Sequence, residues 1–161
     1  MGLLSTIKLF IRTQLTPTSP YLGGSTAEVD VQEVMGSGTT ILTADKMAQW
    51  TTSTATNVDV DIRAQLDGNG AAAAFAEVVA ICFQTPAANP GTISIKPGAA
   101  NSWLALLPSA SDIITLLPGT TLILFCPAAT AYAMGASTDR INVTSSSGTS
   151  SATITVIGRS A

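Results

Sequence analysis

From residue 57 to 66 the chain alternates strictly, with Val58, Val60, Ile62, Ala64 and Leu66 on one set of positions and Asp59, Asp61, Arg63 and Gln65 on the other. Period two sends successive side chains to opposite faces of a strand, so this segment predicts a strand with one buried and one wet face. The same period recurs less cleanly over residues 7–15, where Ile7, Leu9 and Ile11 oppose Lys8 and Arg12 and Phe10 interrupts the pattern. It returns over residues 28–34, with Val29 and Val31 opposite Glu28 and Asp30, and over residues 47–52, anchored by Trp50. Residues 139–144 and 152–157 repeat it once more and predict a closing hairpin through 145–150.

Other segments are apolar throughout. Val78 to Phe83 reads as a strand buried on both faces, although the preceding alanines 71–74 alone would suit a helix; Ile93 and Ile95 mark a short strand ending at Pro97-Gly98. Between Asp112 and Asp139 lie 26 residues without a charge. That length would cross a membrane as a helix, but Pro118-Gly119, Pro127 and the crowd of threonines and β-branched residues break it into strands over 113–117, 120–126 and 131–134. Gly36-Ser37-Gly38 and Asp67-Gly68-Asn69-Gly70 supply turns, because Gly and Asn tolerate positive φ. No segment has a helical period. The pattern therefore predicts an all-β fold, a single antiparallel β-sandwich of the jelly-roll kind with an extended N-terminal arm. Residues 1–26 would hold the arm, the first strand and a Pro/Gly loop, and 27–161 the sandwich.

Composition then narrows the function. Only 11% of the 161 residues are charged, and mean hydropathy is +0.41, so strand faces must be hidden against another sheet, other copies or a larger assembly. A net charge of −3 with scattered arginines argues against a nucleic-acid partner, which needs convergent cations. The absence of histidine removes Ser-His-Asp and Cys-His catalysis and histidine-based metal sites. Asp59 and Asp61 sit two apart on one strand, as a solvated face requires, whereas glycosidase carboxylates face each other across a cleft. Asp67-Gly68-Asn69-Gly70 lacks the remaining ligands of a calcium loop. No catalytic, cofactor-binding or metal-binding residue is assigned, and no cofactor is expected. Cys82 and Cys126 lie in apolar runs and suit buried free thiols, with a disulfide open if their strands are neighbours. The N-terminus has no basic, apolar, cleavable leader, which suggests synthesis in a cytoplasm, and Gly2 with Thr6 fits a loose myristoylation pattern. Trp50 and Trp103 would form a sugar-stacking platform if exposed on one surface, or pack in a core or subunit interface.

The second half carries a family likeness. A buried strand over 75–81 leads to Ile93-Ser94-Ile95, then to the segment 98–103 ending in Trp103 and the Leu117-Pro118-Gly119-Thr120 turn. An Ala131-Tyr132-Ala133-Met134 strand and the closing hairpin from Asp139 follow. This order resembles the small β-sandwich virion proteins of tailed bacteriophages, notably capsid decoration or cement proteins. The resemblance implies a non-enzymatic protein on the outer capsid surface, a homotrimer that binds the major capsid protein and stabilises the shell by bridging capsomers. It implies no nucleic-acid or membrane partner. Within it, Leu3, Leu4, Ile7 and Phe10 are interface candidates, as apolar residues in a terminal arm, or complete an edge strand of the protein itself; Trp103 is a further candidate. The alternatives are another phage part, such as a tail or receptor-binding sandwich, and a carbohydrate-binding module.

Overall fold

In a computed structural model that describes residues 5–15, 25–35 and 44–160 apart from Gly68 and Pro127, every regular element is a β-strand. In chain order these are β1 (Ser5–Leu15), β2 (Ser25–Met35), β3 (Lys46–Thr54), β4 (Asn57–Asp61), β5 (Glu77–Gln84) and β6 (Ile93–Pro97). There follow β7 (Ile114–Leu116), β8 (Thr121–Phe125), β9 (Tyr132–Ala133), β10 (Arg140–Ser145) and β11 (Ser150–Arg159). From β3 onward they form two antiparallel sheets packed face to face. One runs β4-β10-β6-β7; the other runs β3-β11-β5-β8, with β9 also paired to β5. The pairs nest from the ends of this region inward: β3 with β11, β4 with β10, β5 with β8, and β6 with β7. Each nested pair, β6 with β7 included, lies in the sheet opposite to the pair before it, as if one long hairpin had been rolled into two layers.

Alternation places the core. Ala152, Ile154 and Val156 of β11 are fully buried and meet Ile141 and Val143 of β10, Ile93 and Ile95 of β6, and Val78, Ile81 and Phe83 of β5. Trp103 plugs the same core with no exposed surface; its indole N–H donates to the Ala133 carbonyl at 2.8 Å, and its ring meets Tyr132 edge-on at 6.3 Å. The segment carrying it is tied to β10, since Trp103 N and Gly98 N both donate to the Arg140 carbonyl at 3.0 Å. A Cβ on Gly98 would approach the Arg140 Cβ to 2.7 Å, so only glycine lets the two segments close. At the end of β11, Gly158 lies against Phe75 and the Glu77 carbonyl, where the pairing with β5 shifts register.

Two expectations change. The strand expected over 57–66 stops at Asp61, because the Asp61 carboxylate accepts the Ala64 N–H at 3.0 Å and its carbonyl accepts from Gln65 Nε2 at 2.7 Å, which turns the chain. Ile62 still reaches the core, but Leu66 ends 63% exposed. The second strand, assigned to the sandwich from residue 27, pairs in full register with β1 instead, so β1 and β2 form a two-stranded ribbon and the described sandwich strands begin at Lys46. The two cysteines are free. Asp67 behaves as the turn reading requires, with Gly70 N donating to its carbonyl at 3.0 Å.

Replacing the buried indole tests this core: Trp103→Ala should lower unfolding free energy by about 3–5 kcal/mol, read as a fall in the urea midpoint with little change in slope.

Candidate interaction surfaces

The outer face of the five-stranded sheet follows from the register of β11. Its outward residues Thr153, Thr155 and Ile157 each head a row across four strands. The first row is Thr51, Thr153, Gln84 and Thr121; the second is Gln49, Thr155, Cys82 and Ile123; the third is Met47, Ile157, Ala80 and Phe125. One end of the sheet is thus a hydroxyl and amide surface, where Thr51 and Thr153 share a hydrogen bond at 3.0 Å and Gln49 Nε2 donates to Thr155 at 2.8 Å. The other end is apolar. Met47 is 41% exposed, while Cys82, Ile123, Phe125 and Ile157 are half-buried. Ala80, Ile81, Cys82, Ile123, Thr155 and Ile157 line a half-open dimple of about 100 Å³ with no polar atom on its exposed surface. Burial pushes the Cys82 thiol above its ordinary value, which keeps it protonated at neutral pH.

The chain enters the sandwich beside this apolar end. Ala44 is fully buried against Val79, and Phe125, Ala131 and Ile157 pack on the same small cluster. Asp45 anchors the entry: its N–H donates to the Gly158 carbonyl at 3.1 Å, and its carboxylate accepts from Ser160 N at 2.7 Å and from the Ser160 hydroxyl. Arg159, 1% exposed, pairs with Glu77 at 2.6 Å and donates to the carbonyls of Ala128 and Ala129, which holds the loop before β9 against the sheet.

The outer face of the four-stranded sheet is polar. A groove of about 410 Å³ is lined by Asn57, Lys96, Pro97, Ser102, Ala110 and Asn142, among others. Asp59, beside it, is engaged already, accepting from Asn142 Nδ2 at 2.6 Å and from Ala99 N at 3.2 Å. Asp61 faces Arg140 at 3.7 Å. The tempting pair therefore holds loops and neighbours in place, as a solvated strand face does. Behind it Asp139 is buried, with Oδ1 lacking a partner; burial, then the Asp61 carboxylate, push its carboxyl up, against the pull of Arg140 and Arg63. Among the described residues, no group of three or more His, Cys, Asp or Glu is placed to hold a metal ion.

The interface candidates fall in different places. Leu3 and Leu4 lie outside the described residues. Ile7 and Phe10 are on β1, at register positions opposite Glu33 and Asp30. Trp103 has no surface to offer a partner, and Trp50 packs partly buried against the core, so the two do not form a shared exposed platform. The apolar row across the sheet was not anticipated, yet it leaves a trace: Ile157 holds an apolar side chain at the parity where β11 otherwise carries Thr153 and Thr155. No family model matches the chain, and neither does any curated protein or solved structure.

One side chain gives the described sandwich a pH signature. Asp67 accepts the N–H groups of Asn69 and Ala71 at 2.8 and 3.1 Å and an ion pair from Lys46 at 3.1 Å, and these, in that order, hold its carboxyl below the ordinary 3.8. The unfolded chain takes up the proton first as pH falls. The stability from this group is therefore fully present above about pH 3.8 and lost as pH drops through the lowered folded value. The gap in urea midpoint between the protein and Asp67→Asn should stay constant from neutral pH to about pH 5, above the carboxylate range, and close on further acidification.

Proposed function

We propose that this protein is a non-enzymatic structural part of a tailed-phage virion, a cement protein that assembles with copies of itself, as a trimer, and bridges capsomers on the outer shell. The observation that carries the reading is the apolar row Met47, Ile157, Ala80 and Phe125 on the outer face of a sheet whose inner face already fills the core. The solvated outer face of a self-contained sandwich carries mostly polar residues, so a row of this kind, with Met47 exposed and Ile157 and Phe125 half-buried, suits contact with a protein partner. The nested strand pairs support reading the sandwich as a jelly roll, an architecture shared by many capsid proteins. A second apolar feature sits at the edge of the other sheet, where Ile113 and Leu117, 57% and 64% exposed, flank the three-residue edge strand β7. That edge suits contact with the shell while the apolar row serves contacts between copies.

The mechanism needs no reacting residue. A protein that binds the assembled shell and not its dissociated parts stabilises it by its binding free energy, about 2.7 kcal/mol per site at a hundredfold excess over Kd. The carbohydrate-binding alternative draws less support, because neither tryptophan offers a flat exposed face.

Light scattering should return three times the 16.3 kDa chain mass, and the protein should sediment with capsids that lack it and raise their melting temperature. Ile113→Asp combined with Leu117→Asp should weaken co-sedimentation at least tenfold while leaving the urea midpoint nearly unchanged. A protein that ignores shells but is retained by immobilised glycans would replace this reading with receptor or carbohydrate binding.

A further inference from the structure

We propose that the β1–β2 ribbon of one copy lies across the apolar row of a neighbouring copy's five-stranded sheet, so that the terminal ribbons are exchanged around the oligomer. This rests on the reading that the protein assembles with itself.

The ribbon's register supplies the first half of the argument. Ile7, Leu9 and Ile11 pair with Glu33, Val31 and Val29, which gathers five apolar residues into one row of positions. The intervening positions pair Lys8 with Gln32, Phe10 with Asp30 and Arg12 with Glu28, so that at these six positions Phe10 is the one apolar residue among charged and amide groups. A two-stranded ribbon is marginal in water by itself, and one with this division of residues is stabilised by laying its apolar row on another sheet. The sandwich supplies the second half, an apolar row across β3, β11, β5 and β8 at the sheet end where the chain arrives from the ribbon, beside buried Ala44.

Dimensions favour exchange over self-docking. Each ribbon strand has 11 residues and so extends about 36 Å, whereas the row crosses three interstrand spacings, about 14 Å. A ribbon laid on its own sheet along that row would leave much of its apolar length in water. Laid on the next copy, its central Leu9, Ile11, Val29 and Val31 positions cover the row while the remainder spans the gap between copies. Residues 36–43, eight positions that include Gly36-Ser37-Gly38, separate ribbon from sandwich along the sequence, and closed rotational symmetry ends the exchange in a ring.

Cysteine trapping tests it. In a Cys126→Ser background Cys82 is the remaining native thiol, and it lies in the row beside Ala80. Adding Leu9→Cys or Val31→Cys and oxidising mildly should give chains joined in pairs or larger rings on non-reducing gels, mapped by mass spectrometry to Cys82. Lys8→Cys, on the other row of the ribbon, should not join. In parallel, Leu9→Asp with Val31→Asp, on the Cys126→Ser background, should speed maleimide labelling of Cys82 at least tenfold. Bonds to Cys82 only within one chain, or no bond and no change in labelling in a protein that light scattering still finds oligomeric, would overturn the exchange and leave self-assembly standing. A monomer by light scattering would remove both.

Discussion

The sandwich depends on β11. This strand lies between β3 and β5, paired on both sides over most of its ten residues, and its alternate side chains Ala152, Ile154 and Val156 are wholly buried. Its partner β3 opens the sandwich, so the fold closes only when its last strand slots between strands made much earlier. Contacts of such sequence separation come late and bear a large loop-closure cost, repaid by the buried faces of both sheets. Gly158, Arg159 and Ser160 then lock that end against Phe75, Glu77 and Asp45.

The same strand organises the outer surface. Whatever β11 presents outward is extended sideways by its neighbours, so hydroxyl and amide groups cluster at one end and apolar side chains at the other. Under the proposed assembly, this face in a chain with so few charges is the one another copy would cover. The chain enters the sandwich at Ala44, beside that apolar end, which is the observation the proposed ribbon exchange builds on.

Much of this was legible in the sequence. Period-two alternation, together with apolar runs cut by Pro and Gly, located nearly all the strands and the all-β class, since buried strand faces leave those marks regardless of which strands pair. Pairing itself leaves no local mark. That is why residues 28–34, with a strand pattern suited to any sheet, were expected in the sandwich although β2 pairs with β1. The overrun to Leu66 has a local cause: Asp61 matches the polar parity of the strand but uses its carboxylate to turn the chain. Trp103 sits in irregular sequence that left core and subunit interface both open, and loops anchored on the Arg140 carbonyl carry it into the core. The apolar row was hidden because each strand contributes a single outward residue to it, and a row across a sheet exists only once the register is known.

Hydroxyl-radical footprinting of the protein at working concentration measures most directly whether this outward row is covered. Met47 and Leu104 are 41% and 43% exposed in the single chain, and Leu104 follows Trp103 on the segment tied to β10 of the other sheet, so it serves as the internal reference. The account predicts strong protection of Met47, together with Phe125, in the assembled protein and its loss on dilution to monomer, with Leu104 unchanged. Oxidation of Met47 at the same rate in both states would contradict it, leaving the row an uncovered surface and the sandwich a self-sufficient unit.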